Sequence, residues 1–525
     1  MEREEPAVEV PEEPLARPRW LEETRFWALS AVLHLLFIGL FLALSSVSGG
    51  EPRQETFPLA IKRARTPPPY DPLKRRAIEE QVRRLLPRKT PKVVLPRIDP
   101  FEPDIPRGDN LKNRSSIRLD DRWTNPAIGV GSAQAGDFGA RRERGSGQSE
   151  GATPDSEAAV RAALGWLRRH QSPDGSWRCR DFTRQCKRTC RNVDPQRYGD
   201  GRGFAEHDVG VTALAMLAFT GYGQTHRDGD HPEYVECLRK AVRYMKRIQV
   251  RADDPMTDGR YGPGDHEQWI YDHSIATMAM AELLVMSVDV LGLKRSVNAA
   301  VRLCLRAQND GFGWRYGVKS ADNDTSVTGW MVLALKTAKN ARLGIPQAEF
   351  DRAFEGAIHW FDRATAANGK CGYMVPGDEG SRLARGHPDP YPYSKELSCM
   401  TAVSVLCRLF GGAKRREQFI RDGVKVLMQE PPTWQEQKGR SLSRINLYYW
   451  YYGTFALFQF GGREWSSWNR KMQESLIRTQ RQGNIDEDGS WDPIGEWGIA
   501  GGRVYATALG ALTLEVYYRY VRQRP

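Results

Sequence analysis

The sequence predicts an all-α fold in which two kinds of helix alternate along the chain. Helices of one kind are apolar on every side, as in residues 327–335, and a helix that is apolar all round is a buried helix. Helices of the other kind are amphipathic and are followed by a turn centred on Gly, as in residues 163–171 with the turn 174–177. Six alternations of a buried and an amphipathic helix predict two concentric rings, about twelve helices in all.

The buried-helix pattern contains a Thr at the same place in every copy. The copies are 51 to 73 residues apart when they are aligned on these residues, which are Thr212, Thr277, Thr328, Thr401, Thr454 and Thr507. Internal repetition at such a spacing is typical of architectures in which one supersecondary unit packs against the next.

The amphipathic pattern stands between these copies. Its clearest copies are residues 163–171, 241–249 and 300–308, each followed by a Gly-centred turn at 174–177, 258–261 or 310–314. Looser copies cover residues 353–365, 419–429 and 465–480. Each is expected to be an outer helix with one face on the inner ring.

The turns and one of the helix starts resemble a known group of proteins. Gln171 followed by Asp-Gly-Ser-Trp at 174–177, and the Asp-Thr-Ser start at 324–326, are similar to the repeats of the terpenoid cyclase and protein prenyltransferase superfamily, which includes the squalene-hopene cyclases and the prenyltransferase and squalene oxidase repeat. The resemblance covers about residues 154–520, and it implies an (α/α)6 toroid with a central cavity. It is informative about the fold and says little about the reaction.

The N-terminal part of the chain is expected to hold one membrane span. Mean hydropathy of −0.58 excludes a polytopic membrane protein, but residues 26–47 form a run of 22 residues without formal charge, which is long enough to cross a bilayer. The preceding residues 1–25 are rich in Glu and no Ala-x-Ala site follows the run, so a signal anchor is favoured over a cleaved signal peptide. The basic residues on the two sides are balanced and do not fix its orientation.

Two polar residues inside this span share one helix face. Ser30 and His34 are four residues apart, and this pair in a single N-terminal span resembles the anchor of TonB-type energy-transducing proteins. The resemblance implies a single-pass cell-membrane protein with a cytoplasmic N-terminus, a periplasmic or extracytoplasmic toroid, and inner-membrane protein partners that bind through Ser30 and His34. A tolerated polar pair in an ordinary anchor is the alternative.

Residues 48–153 are predicted to be a largely disordered, Pro-rich basic linker. Residues 51–154 contain 21 Lys and Arg against 14 Asp and Glu, so this segment supplies +7 of the chain's net charge of +12. A basic tether could lie on anionic lipid. Because the sequence has no recognised nucleic-acid motif, no nucleic-acid partner is expected.

Three cysteines lie close together in a loop after the first turn. If the domain is extracytoplasmic, a disulfide between two of Cys179, Cys186 and Cys190 is expected. Zinc is the weaker interpretation, because the spacing lacks a Cys-x2-Cys pair and no fourth ligand is evident.

Polar residues recur at two positions just before the repeat Thr. The position four residues before it holds Asp208, His273, Asp324, Leu397, Trp450 and Arg503, and the position five residues before it holds His207, Asp272, Asn323, Glu396, Tyr449 and Gly502. We therefore expect a site where the inner helices begin, with Asp324, Asp208 and His273 as candidate catalytic residues. The candidate ligand-binding residues are His207, Asp272, Asp322, Asn323, Trp330, Glu396, Trp450, Arg503 and Tyr505. Helix capping is the alternative role for Asp208 and Asp324.

No complete catalytic motif of the resembled families is present. The squalene-hopene cyclase motif Asp-x-Asp-Asp-Thr-Ala, matched to residues 321–326, places Asn323 where the proton-donating Asp belongs, and Asn cannot donate that proton. Ser326 and Ala506 stand where protein prenyltransferases have a Cys and a His zinc ligand. On these motifs, no metal and no cofactor is expected.

Three functions remain open at this level. The first is a membrane-anchored, cyclase-like protein whose cavity binds an isoprenoid or another lipid. The second is a carbohydrate-active (α/α)6 toroid, for which the aromatic residues 448–452 offer stacking faces and paired carboxylates about 5 to 9.5 Å apart are required. The third is a non-catalytic envelope scaffold that binds protein.

Overall fold

The computed structural model describes residues 151–187, 201–378, 398–434, 445–483, 486–520 and 522. Within these ranges the chain forms thirteen α-helices and no strand beyond isolated bridges, which confirms the all-α class. The helices are α1 Pro154–Arg169, α2 Asp208–Gly221, α3 Pro232–Ile248, α4 Trp269–Ser287, α5 Val290–Ala307, α6 Thr325–Lys339, α7 Gln347–Ala364, α8 Cys399–Phe410, α9 Gln418–Gln429, α10 Leu447–Phe460, α11 Gly462–Thr479, α12 Gly498–Leu514 and α13 Val516–Arg519.

The helices with even numbers are buried nearly all round and contact one another in a closed cycle. Helix α2 packs on α4, α4 on α6, α6 on α8, α8 on α10, α10 on α12, and α12 returns to α2. We call these six helices the inner ring. Every residue of α2 after Asp208 is buried, as its uniformly apolar sequence predicts.

The helices α1, α3, α5, α7, α9 and α11 each place one apolar face against the inner ring. In α3 the buried residues recur at spacings of three and four, for example Leu238, Ala241, Val242 and Met245, while the charged residues between them face solvent. Helix α1 starts with a capping box between Thr153 and Ser156 and packs on both α11 and α12. The first described helix therefore packs against the last outer and the last inner helix of the two rings.

The Gly-centred turns join the outer helices to the inner ring, and the repeat Thr makes the connection. Thr212 Oγ1 accepts a hydrogen bond from the backbone N–H of Trp177 at 2.9 Å, and the Trp177 indole donates to the carbonyl of Leu167 on α1 at 2.7 Å. Equivalent pairs link Thr328 to Trp314 and Thr507 to Trp491. The recurring Thr and Trp are therefore structural residues.

Glycine is required in the first turn. Gly175 has a φ of +94°, and a Cβ there would lie 2.3 Å from the carbonyl oxygen of Lys240. Only a residue without a side chain allows the turn to approach α3 so closely.

The end of the inner ring at which these helices finish is closed by a buried ionic network. Arg519 and Glu282 are both fully buried, and the guanidinium donates to both carboxylate oxygens of Glu282 at 3.1 Å. Arg519 also donates to the carbonyl of Leu217 at 2.7 Å and lies 3.6 Å from Glu515. The network therefore joins α2 and α4 to α13, and we call this end of the inner ring the closed end.

Several sequence predictions lie outside the described residues. These are the span 26–47 with Ser30 and His34, the linker up to residue 150, Cys190 and Glu396. In the part of the chain that the structure describes, no helix is long and apolar enough to cross a membrane.

Candidate functional site

A cavity of about 120 Å³ lies within the inner ring, near the starts of its helices. Most of its wall is apolar or aromatic, formed by Val211, Leu214, Tyr271, Ile275, Trp330, Tyr373, Met400, Tyr448, Trp497, Ala500 and Tyr505. The polar side chains on the wall are those of His207, Gln268, Asp272 and Ser326. The result is an apolar cavity with few polar side chains, of which His207, Gln268 and Asp272 come from just before α2 and the start of α4.

The cavity wall follows the repeats. Residues five before the repeat Thr reach the cavity in the first two copies, as His207 and Asp272. Residues two before it reach the cavity in four copies, as Gly210, Ile275, Ser326 and Tyr505. Positions three residues apart share one helix face, so this face of each inner helix points to the centre of the ring.

Three side chains with metal-ligating atoms meet at the cavity. His207 ends the short 3-10 helix Ala205–His207 before α2, Asp272 lies in the first turn of α4, and His266 lies in the loop before α4, where its carbonyl accepts from the N–H of Trp269 at 3.3 Å. Asp272 Oδ2 is 3.1 Å from His266 Nε2 and 3.8 Å from His207 Nδ1. One ligand atom from each residue lies within 4.8 Å of the others. We call these three residues the mouth cluster.

The mouth cluster is largely buried, and a neighbouring glycine makes room for it. Asp272 is 4% exposed. A Cβ on Gly210 of α2 would lie 2.1 Å from Asp272 Oδ1, so the carboxylate packs directly against the bare backbone of the adjacent inner helix. Burial acts to raise the pKa of Asp272, but the two histidines outweigh it and hold that pKa below its usual value. Burial acts to lower the pKa of His207, but the neighbouring Asp272 carboxylate outweighs it, so that pKa is raised overall.

Of the residues four before the repeat Thr, those that the structure describes do not line the cavity, and Asp208 is the first of them. Asp208 Oδ1 accepts from the backbone N–H of Cys179 at 2.7 Å. Burial raises the pKa of Asp208 to about 6, although the Cys179 N–H and Arg178 favour its charged form. This candidate catalytic residue therefore anchors the first turn to α2.

His273 has both ring nitrogens engaged by the protein. Nδ1 accepts from the backbone N–H of Tyr261 at 3.2 Å, and Nε2 lies 3.2 Å from the carbonyl of Ala300. The ring is fully buried, and this burial lowers its pKa to about 3, so the neutral tautomer with its proton on Nε2 satisfies both contacts. His273 is a structural link between α4 and α5.

Asp324 is the N-cap of α6. Its Oδ1 accepts from the N–H of Val327 at 2.7 Å, and its Oδ2 accepts from the Tyr373 hydroxyl at 3.2 Å and lies 3.7 Å from Arg315. Complete burial raises its pKa to about 7, even though these donors favour the carboxylate. The capping role that the sequence left open is the one that these contacts support.

The remaining predicted site residues are spread around the fold. Asp322 is about half exposed and pairs with Arg315, and Asn323 accepts from Asn309 at 3.0 Å. Arg503 is fully buried and donates to Asp492 at 2.6 Å, while Trp450 is buried edge-on to Trp434. None of these four lines the cavity, whereas His207, Asp272, Trp330 and Tyr505 do.

The aromatic run at 448–452 belongs mostly to the packing of α10. All five of its residues are buried, and of these only Tyr448 lines the cavity. Its hydroxyl is 2.8 Å from Ser326 Oγ. Trp330, which also lines the cavity, stacks on Tyr451 with ring centroids 5.8 Å apart. The run therefore forms a wall behind the cavity and no exposed platform.

The cysteine loop is only partly within the described residues. Cys179 is a buried free thiol, and Cys186 Sγ lies 3.5 Å from His170 Nε2. These two cysteines are not joined to each other, and a pairing with Cys190 stays a prediction.

Sequence reasoning missed several residues of this site, above all His266. The motif search considered only two positions per repeat, and His266 lies in the loop six residues before Asp272. A usable signal was present, because the chain has only nine histidines and both His207 and His266 lie within three residues of the start of an inner helix. Gln268, Tyr271, Tyr373 and Trp497 were missed for the same reason, since they stand outside the aligned positions.

Two comparisons with known proteins found no match. No family model matches this chain, and no curated protein matches it. The similarity to the terpenoid cyclase and protein prenyltransferase superfamily therefore depends on the repeat motifs alone and stays a prediction.

Proposed function

We propose that the inner ring binds the apolar end of an isoprenoid or a similar lipid, with the polar end of the ligand at the mouth cluster. The observation that carries this proposal is a hollow, apolar and aromatic centre with a few polar side chains on its wall. Ligand sites are commonly apolar cavities with a few polar groups that fix orientation. A filled centre would instead have favoured a scaffold.

The size of the cavity narrows the ligand class. An apolar protein cavity of about 150 Å³ can hold benzene, so a cavity of about 120 Å³ suits a fragment of five or so carbon atoms. One branched isoprene unit has this bulk. We therefore propose binding of one end of a longer chain, and not enclosure of a whole polyene for cyclisation.

We further propose that the two layers of helices are an (α/α)6 toroid of the terpenoid cyclase type, tethered to the membrane by residues 26–47. The closed cycle of inner helices and the six outer helices support the toroid. The uncharged run and the Pro-rich basic segment support the tether. A domain held at a membrane surface has direct access to membrane-soluble ligands.

A binding experiment on the full-length chain in lipid nanodiscs tests the ligand proposal. Trp330 and Trp497 line the cavity, so tryptophan fluorescence should report its occupation. We expect farnesol to change this fluorescence saturably and cellotetraose to have no effect. Mass spectrometry of an organic extract of the purified protein would show whether a lipid is bound already.

A matched pair of variants locates the binding. Ile275→Phe adds bulk to the cavity wall, whereas Ile477→Phe makes the same change on the half-buried face of the outer helix α11. We expect farnesol affinity to fall at least tenfold in Ile275→Phe and to be unchanged in Ile477→Phe. Equal binding by both variants, or saturable binding of cellotetraose alone, would contradict the proposal, and the latter would favour the carbohydrate function.

A further inference from the structure

The mouth cluster brings three different side chains to one point from two separate parts of the chain. His207 precedes α2, while His266 and Asp272 come from the loop before α4 and its first turn. The two imidazole rings approach at an interplanar angle of 85°, with centroids 5.4 Å apart. Rings in this arrangement do not stack, so their nitrogen atoms can be directed to a common point from different sides.

The atom separations fit a metal ion. Zinc binds His nitrogen and carboxylate oxygen at about 2.0 to 2.2 Å, and tetrahedral geometry then places its ligand atoms about 3.4 Å apart. The observed separations from Asp272 Oδ2 are 3.1 Å and 3.8 Å, and the whole set lies within 4.8 Å. Small side-chain rotations would bring all three atoms into coordination distance.

One buried oxygen of the cluster lacks a hydrogen bond of good geometry. Asp272 Oδ2 is buried and has no hydrogen-bond partner among the described residues, although two histidine nitrogens are near it. A buried carboxylate oxygen without a partner is costly, and it calls for a bound cation, a proton or a water molecule. Two imidazole nitrogens beside the same oxygen favour a cation that all three atoms can share.

We propose that His207, His266 and Asp272 bind one divalent transition-metal ion, with Zn²⁺ the best match to two imidazoles and one carboxylate. Imidazole ligands select Zn²⁺ and similar ions over Mg²⁺ and Ca²⁺, which prefer oxygen ligands. Three protein ligands leave at least one coordination position for another molecule. Since His207 and Asp272 also line the cavity, that position faces it and suits an oxygen atom of a molecule bound there.

This site differs from the one sought in the sequence. The prenyltransferase motif directed attention to Ser326 and Ala506, which are not zinc ligands. The ligands proposed here lie before and at the start of other inner helices, and their proximity follows from the contact between α2 and α4. The metal proposal does not depend on an apolar ligand, because its ligand atoms are all supplied by the protein.

The test uses the full-length protein in nanodiscs, stripped with a chelator, dialysed and then titrated with Zn²⁺ alone by calorimetry. Co²⁺ is added in a parallel experiment, because its visible absorption reports four or five coordination. We expect one equivalent of metal in the wild type and at least a tenfold loss of affinity in each of His207→Gln, His266→Gln and Asp272→Asn. His226→Gln is the matched control, since His226 pairs with Asp289 at 2.8 Å outside the cluster.

The thermal shift of each protein with and without Zn²⁺ separates lost binding from lost folding. A cluster variant that keeps the melting temperature of the metal-free wild type but gains nothing from Zn²⁺ supports the proposal. Absence of stoichiometric uptake by the folded wild type would overturn it, as would unchanged affinity in the three folded cluster variants. Farnesol binding by the metal-free wild type, measured separately, distinguishes failure of this site from failure of the apolar cavity.

Discussion

Buried carboxylates at the two ends of the inner ring differ in their hydrogen-bond partners. At the closed end, Arg519 donates to both oxygens of Glu282 and to a backbone carbonyl. At the other end, Asp272 Oδ2 has two histidine nitrogens nearby and no hydrogen bond among the described residues. Asp272 and Glu282 are ten residues apart on α4, so about 15 Å along one helix separates the two environments.

This difference in hydrogen bonding indicates that the two ends have different roles. A buried ion pair with its hydrogen bonds made holds neighbouring helices in one arrangement, and removing one partner is destabilising. A buried carboxylate oxygen without a hydrogen bond is destabilising, so its retention in a protein indicates a role other than folding. We therefore expect substitutions at the closed end to change stability and substitutions at the mouth cluster to change binding.

The largest effect on stability is expected for Arg519→Met. This change leaves Glu282 and Glu515 buried without their cation, and breaking a buried pair in this way typically costs about 3 to 5 kcal/mol. Urea unfolding of the full-length protein, followed by circular dichroism, measures the free energy of unfolding. Zn²⁺ and farnesol affinities of the folded protein should be unchanged.

Arg478→Met is the control for this prediction. Arg478 pairs with Glu474 on the surface of α11, where the two side chains are 75% and 52% exposed. Loss of such an exposed pair costs about 0 to 1 kcal/mol. Equal free energies of unfolding for Arg519→Met and Arg478→Met would show that the network at the closed end does not stabilise the fold.

A smaller effect is expected at Asp324, and it should depend on pH. Between the ordinary Asp pKa near 4 and the folded pKa of about 7, the native state binds more protons than the unfolded state, so the free energy of unfolding falls as pH rises. Asn has no titrating group and caps a helix about as well as Asp. Relative to wild type, Asp324→Asn should therefore become more stable as pH rises from 4 to 7.

Asp324→Ala provides the contrast. Ala cannot accept the hydrogen bond from Val327, and loss of an N-cap costs about 1 kcal/mol. Urea unfolding at pH 5 and pH 8 measures both variants. An Asn variant with the same pH dependence as the wild type would show that Asp324 is ionised throughout, and loss of ligand binding in Asn alone would return it to the list of functional residues.

The sequence was sufficient to predict the helices, and the cavity lies near the helix starts where a site was expected. Uniformly apolar segments, amphipathic segments and Gly-centred turns alternate, and each pattern has one physical interpretation. The alignment on the repeat Thr could not show which of Asp208 and His207 faces the centre of the ring. Both residues are polar, and adjacent residues on a helix point about 100° apart. Which of them faces the centre depends on how each inner helix is rotated.

His266 was missed for a different reason. It belongs to a loop, and its approach to Asp272 depends on the backbone of the loop before α4, which helix periodicity does not describe. Similarly, Asp324 could be either a cap or an acid from its sequence position, and the N–H of Val327 decides between them. The local sequence pattern predicts the helices, whereas the contacts between helices and loops determine which side chains come together.

The smallest effect on stability, with a clear effect on binding, is expected for Gly210→Ala. The new methyl group would lie 2.1 Å from Asp272 Oδ1, so the carboxylate must move although all three ligand residues remain. Ala is favoured over Gly within a helix by up to about 1 kcal/mol, which offsets part of the steric cost. We expect the free energy of unfolding to change by less than about 1 kcal/mol and Zn²⁺ affinity to fall at least tenfold.

Gly165→Ala is the matched control, because Gly165 lies in α1 and the nearest atom to its Cβ position is Arg169 Nη1 at 3.5 Å. It should gain up to about 1 kcal/mol in stability and keep the wild-type affinity for Zn²⁺. Calorimetric titration and urea unfolding of both variants make the comparison. If Gly210→Ala bound Zn²⁺ as tightly as Gly165→Ala, the position of Asp272 would not matter for binding, and the mouth cluster would be an ion pair that serves the fold, as the network at the closed end does.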